Sequence, residues 1–177
     1  VFSDFNYGCL PQTLVDKIIS KCKKSGKLVF ADSQSSSQVG DICRFKKMDF
    51  ISATEREARI SLQNSQDGLV VLAEKLKSRS ESENIFLKLG PQGVLLYLKS
   101  NKGNDEFVTD RILALNNSPK DTSGAGDAML ITAALSFAIE KNPFMAACMG
   151  SIASAIQVGR MGNIPLSLEE FTKALDL

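Results

Sequence analysis

The stretch Asp121-Thr122-Ser123-Gly124-Ala125-Gly126-Asp127-Ala128-Met129-Leu130 sets two glycines and two aspartates at the head of an apolar run that continues to Glu140. Glycine has no side chain to fend off a ligand. The amides of Gly124, Ala125 and Gly126 can therefore converge on an anion at a helix N-terminus, where the helix dipole also favours negative charge. Asp127 follows in the first turn. There it can take a proton from a substrate hydroxyl while the amides stabilise charge gathering on phosphoryl oxygens. The plainer alternative is that Asp127 only complements the helix dipole and the glycines only permit tight packing. Such a role does not call for two glycines and two aspartates together.

Two other phosphate motifs fail. A P-loop needs GxxxxGK[ST], and no Gly-Lys-Ser/Thr triplet occurs. A dinucleotide fingerprint would need glycine or alanine where Met129 stands, directly after a clean strand.

Working outward, apolar residues recur at Leu14, Val15, Ile18, Ile19 and Cys22 with helical spacing, and Gly26 stops that helix. A short apolar strand is predicted over Lys27–Ala31 and another begins at Phe50-Ile51. A helix start is predicted over Thr54–Arg59 and an amphipathic helix over Gly68–Lys77. Ile85–Leu89 and Val94–Leu98 read as strands joined by a tight turn, Gly90-Pro91-Gln92-Gly93. Ser33–Ser37 and Ser100–Asp105 read as polar loops, and Phe107–Thr109 and Ile112–Leu115 as further strands. Three helices close the chain. The first, Gly124–Glu140, is apolar nearly all round and is expected to be central and buried. The second starts at Asn142-Pro143, and the third carries the capping box Ser167…Glu170. Strands alternating with helices predict an α/β fold, a mainly parallel sheet flanked by helices on both faces. No repeat or shift in composition marks a second domain, so residues 1–177 are expected to form one.

Of 177 residues, 44% are hydrophobic and 23% charged, which is globular composition, and 21 Lys and Arg balance 20 Asp and Glu. No net field draws a polyanion, so nucleic acid is not the expected partner. The chain contains no histidine, which excludes Ser-His-Asp hydrolysis and the usual His-bearing metal sites. Cys9, Cys22, Cys43 and Cys148 form no CxxC pair and read as reduced thiols. With no apolar run of membrane-spanning length and no secretion signal, a cytoplasmic protein is expected, without a membrane partner. Val1-Phe2-Ser3-Asp4 reads as the end of a buried strand.

Asp121-Thr122-Ser123-Gly124-Ala125-Gly126-Asp127 resembles the DTxGAGD signature of the ribokinase-like (PfkB) carbohydrate kinases, and every fixed position matches. The resemblance implies ATP and Mg²⁺ as cofactors, a sugar or sugar phosphate as acceptor, and Asp127 as base. Gly124, Ala125 and Gly126 would form the anion hole, with Asp121 and Thr122 near the triphosphate or a monovalent-cation site. Other segments follow the family in order, and most resemble its heptose 7-phosphate branch. Ser3-Asp4-Phe5-Asn6-Tyr7-Gly8 stands where that branch has SDYxKG, which makes Asp4 a substrate residue. Ala31-Asp32-Ser33-Gln34 stands at its DPK strand end. Ser52-Ala53-Thr54-Glu55-Arg56-Glu57 stands at TPNxxE, which gives Glu57 a magnesium role; its alternative is a solvated helix charge. Lys88-Leu89-Gly90-Pro91-Gln92-Gly93 stands at the nucleotide-binding TxGxxG loop, with Lys88 in place of Thr. Gly90 and Gly93 are equally readable as hairpin residues.

Ser151 lies in a stripe of small residues, Ala146 to Ala155, which suits either a nucleotide base or another helix. Tyr7 and Gln34 stand where the heptose branch has lysines. The family's N-terminal half and lid have no counterpart here, so a partial ribokinase-like domain is expected. A homodimer of the full-length protein is an expectation of the same kind. The competing reading is a catalytically silent nucleotide-binding or assembly module, suggested by Tyr7, Gln34, Thr54 and Lys88.

Overall fold

The computed structural model describes residues 1–35, 38–100 and 107–176. Its elements run β1 (Phe2–Asp4), α1 (Gln12–Lys24), β2 (Phe30–Ser33), β3 (Phe50–Thr54), α2 (Glu55–Leu62), α3 (Leu69–Ser80), β4 (Asn84–Lys88), β5 (Val94–Lys99), β6 (Phe107–Ile112), α4 (Ala125–Glu140), α5 (Pro143–Val158) and α6 (Leu168–Leu175). A 3-10 turn, Ile42–Arg44, lies between β2 and β3. The six strands form one sheet in chain order. The chain divides into two compact units, Val1–Leu89 with Leu95–Asp110, and Gly90–Val94 with Arg111–Leu177.

In the first unit β1 to β4 are parallel, with Phe30 beside Phe50, Asp32 beside Ser52, and Thr54 beside Lys88. The connection from β4 to β5 is too short for a parallel crossover, so β5 turns back antiparallel. The Lys99 amide accordingly reaches Asn84 Oδ1, at the far end of β4, at 3.1 Å.

Alternation along β2, β3 and β4 sends side chains to two faces. One face presents Ala31, Ile51, Ala53, Ile85 and Leu87, which share a core with Val15 and Ile19 of α1 and Leu72 and Leu76 of α3. On the other face Phe30, Phe50 and Phe86 pack in succession with centroids 4.5 Å apart, the first pair tilted and the second stacked, and all three are buried. Burying one phenylalanine stabilises by about 1.5–3 kcal/mol, and Phe50→Ala would cost about 3–5 kcal/mol because it also leaves a cavity.

In the second unit the two-residue link Lys141-Asn142 makes α4 and α5 an antiparallel pair. Lys141 ends α4 in the left-handed region, and Asn142 Oδ1 caps α5 by accepting from the amides of Phe144 and Met145 at 3.0 and 3.1 Å. The small stripe of α5 serves this helix contact. A Cβ added at Gly150 would stand 2.8 Å from the Met129 carbonyl, and Ala146 and Ala153 are fully buried.

Three expectations are corrected. α4 is not buried all round: Ile131, Leu135 and Ile139, one turn apart along one stripe, are 46%, 63% and 78% exposed. An apolar circumference does not say which side a neighbour will cover, and α5 lies against the face carrying Met129 and Ala133. The run Ile112–Leu115 is not a separate strand. β6 takes in Asp110 and Arg111 and ends at Ile112, and Leu113 and Leu115 lie exposed beyond it. The strand expected over Lys27–Ala31 starts at Phe30 and runs on through Asp32 and Ser33, because its pairing with β1 and β3 outweighs their polarity. Ser36, Ser37 and residues 101–105 of the expected polar loops lie outside the described residues.

Candidate active site

The predicted site residues fall into two groups. The first unit holds Asp4, Glu57 and Lys88, and the second holds Gly90, Gly93, Asp121 to Asp127 and Ser151.

In the second unit Gly124 is the N-cap of α4 and lies at φ 74°, a left-handed conformation that favours glycine. A glycine there gives the helix no side-chain cap, in contrast to Thr54, Asn142 and Ser167 at α2, α5 and α6. The first four amides of a helix have no intrahelical acceptor. Among them the Ala125 amide is spent locally, donating to the Thr122 carbonyl at 3.2 Å. Asp127 stands third in the helix, in the same turn as Gly126.

Asp121 braces the approach to this turn. Its Oδ1 accepts from the Ser123 amide at 2.9 Å and the Ser123 hydroxyl at 2.7 Å, and its Oδ2 accepts from the Gly162 amide at 2.9 Å. These bonds, the Ser123 amide first, hold its carboxyl below the ordinary aspartate range. Gln157 and Asn163 border the same turn, with Arg160 behind Gln157, and none of the three stands out in the sequence as a site residue. One signal is there: Gln157 is a lone amide in an otherwise apolar and small helix.

Gly90 to Gln92 form a single 3-10 turn, closed by the Gly93 amide on the Gly90 carbonyl at 3.0 Å. Gly93 lies at φ 87°, and an added Cβ would meet the Ile112 carbonyl at 2.0 Å. The hairpin reading of the glycines is therefore sufficient for the backbone seen. Ser151 is buried on α5, and its hydroxyl has no partner among the described residues.

In the first unit Glu57 is not a solvated helix charge. It is 8% exposed and closes a capping box at the start of α2, with Oε2 accepting from the Thr54 amide at 2.7 Å and Oε1 from the Ser35 amide at 3.3 Å. Asp4 is also buried, held by Arg44 at 2.6 Å and by the Asn6 amide at 2.9 Å. Lys88 pairs with Asp32 at 2.5 Å, across the intervening β3.

The model of the pfkB family carbohydrate kinases matches residues 2–170. The chain belongs to that family. Among curated proteins it resembles the bifunctional protein HldE of Desulfatibacillum aliphaticivorans, 26% identical over 99% of this chain and 34% of the relative. HldE of Mesorhizobium japonicum is 27% identical over 99% of this chain and 34% of the relative. Similar solved structures include ribokinase from Thermotoga maritima, with TM-score 0.74, 24% identity and coverage of 99% of this chain and 56% of that one. Arabidopsis thaliana ribokinase, complexed with ribose and ATP, gives TM-score 0.76 at 18% identity, covering 94% and 53%. The Escherichia coli phosphofructokinase-2 complex with potassium gives 0.73 at 16%, covering 94% and 52%. This pfkB chain thus has the ribokinase-like fold, and it spans about a third of the length of the curated relatives it matches.

Proposed function

We propose that the protein transfers the γ-phosphoryl group of ATP to a hydroxyl of a sugar or sugar phosphate. The observation that carries this reading is the mouth of α4, where the left-handed Gly124, the uncapped first turn and Asp127 occur together. The acceptor oxygen attacks the γ-phosphorus, the bond to the bridging oxygen of ADP breaks, and the hydroxyl proton passes to the Asp127 carboxylate. The amides of Gly124 to Gly126 face the oxygens on which charge gathers. The Ala125 amide joins them only by leaving Thr122.

Glu57 suits a magnesium role through water. Two of its lone-pair sites cap α2 and bind Ser35, and a carboxylate offers about four. Magnesium, bound with the nucleotide, supplies neutralisation of phosphate charge. The likeness to HldE makes a heptose 7-phosphate the first acceptor to try. Ribose and fructose 6-phosphate, named with the solved relatives, come next.

Calorimetry with ATP and magnesium, followed by an ADP-release screen over sugars and sugar phosphates, tests the reading. Turnover with one acceptor class supports it. Nucleotide binding without turnover on any acceptor would favour the silent module, to which the Lys88–Asp32 pair at the nucleotide loop would then belong.

A further inference from the structure

Beside the mouth of α4 two backbone carbonyls are aimed at one point. Gln157 Nε2 lies 3.0 Å from the Ser123 oxygen and 3.1 Å from the Gly162 oxygen. Two carbonyl oxygens facing each other repel unless a positive group stands between them, and a side-chain NH₂ or a metal cation can fill that role. Gln157 is 2% exposed, at the end of α5. Its Oε1 accepts from Arg160 Nη2 at 2.8 Å and Nε at 3.3 Å. Arginine has only donors, so the Gln157 amide cannot be turned round without losing all of these bonds. Arg160 is itself held by Glu170 at 2.8 Å and by the Ile164 carbonyl.

Asp121 joins the same two residues in the opposite sense, taking the amides of Ser123 and Gly162. Ser123 and Gly162 are thus tied by donors on one side and an acceptor on the other. The family resemblance places a monovalent cation near Asp121. A cation does not fit between these two oxygens while the Gln157 amide lies there.

We infer that the Gln157 side-chain amide takes the place of a monovalent cation in this chain, so that the Thr122–Asp127 turn is set without one and Gln157 is its positioning residue. The effect on turnover rests on the kinase reading, whereas the effect on stability does not.

The test compares the protein in potassium, sodium and choline chloride at equal ionic strength. Melting temperature is expected to be the same in all three, and kcat likewise once an acceptor is found. Gln157→Met, which keeps the bulk and loses the donor, is expected to lower kcat by about 10-fold or more, the effect of leaving buried acceptors unpaired, with KM for ATP moving less. Gln157→Ala, which opens the space, is expected to become potassium-responsive in melting temperature. A wild-type melting temperature or kcat that rises in potassium over choline would overturn the inference. So would Gln157→Met that melts lower yet keeps its kcat, or a folded Gln157→Ala indifferent to potassium. If Gln157→Ala does not fold, the wild-type comparison decides alone. Absence of turnover with every acceptor would defeat the kinase reading and leave the melting comparison standing.

Discussion

Lys88 Nζ lies 2.5 Å from Asp32 Oδ2, and the two side chains are 15% and 5% exposed, so an ion pair crosses β3 from β2 to β4 almost out of reach of water. Its geometry restrains the end of the strand that leads into the Gly90 turn. Removing one partner of such a pair strands a buried charge and costs about 3–5 kcal/mol, whereas replacing both with apolar groups is far cheaper. Lys88→Met is therefore expected to destabilise strongly, and Asp32→Leu with Lys88→Met to recover much of the loss. Urea unfolding of the two single variants and the double variant checks this, and additive losses would show that the pair is not coupled.

Asp127→Asn is expected to lower kcat by about 10²–10⁴-fold, the contribution of general acid–base catalysis, with ATP affinity nearly unchanged. Asparagine keeps the shape and cannot take the acceptor's proton. If Asp127 served only the helix dipole, the same change would cost about 0.3–1 kcal/mol of stability and spare turnover. Rate, affinity and melting temperature measured on one variant separate the two.

At Gly124 an added Cβ would stand 2.0 Å from Asn163 Oδ1, in a residue at φ 74°. Gly124→Ala is expected to cost about 1–2 kcal/mol from the backbone alone, and more if Asn163 cannot swing aside. Pairing it with Asn163→Gly should return only the steric part. Thermal melts of the single and double variants measure the remainder, and full recovery would mean that the left-handed backbone carries no cost.

Burial, reinforced by the charge of Asp41, pushes the Cys43 thiol up to about 11, while Cys9 is exposed. Near pH 8 a disulfide reagent is expected to label Cys9 first and to reach Cys43 only on unfolding, because the thiolate is the reactive form. Mass mapping of the labelled sites against time checks the order.

Asp121 has a folded-state pKa below that of the unfolded chain. Its stabilising contribution is complete above the ordinary aspartate value and is lost as pH falls through the depressed folded value. The stability gap between the protein and Asp121→Asn should therefore be constant near neutrality and close in acid. A gap that stays open at the lowest pH would point to side-chain shape instead of charge.

Most of the fold was legible because its signals are local. The apolar run Ile85–Leu89 and the Asn142-Pro143 start each specify their own element. What the sequence could not convey was which side of an element is covered. α4 is apolar nearly all round, yet Met129 is buried and Ile139 is 78% exposed, because cover depends on where α5 lies. The Thr54-x-x-Glu57 spacing is that of a capping box as well as of a family motif; the motif points Glu57 at magnesium, its charge alone at solvent, and neither reading takes in the backbone amides it caps. Of the candidate site, the turn around Gly124 is carried by adjacent residues and was visible. Gln157 reaches Ser123 across 34 positions of sequence and became visible only in three dimensions.

The order of the strands has a consequence for how the molecule assembles. Because β1 to β6 lie side by side in the order in which they are made, each new strand finds its neighbour among residues just synthesised, and the closure entropy of every pairing stays small. The sheet can grow one strand at a time as the chain leaves the ribosome, with α4 and α5 emerging only after its six strands. Protease resistance of stalled nascent chains should then rise in steps, one for each strand added, before Asp127 has been translated.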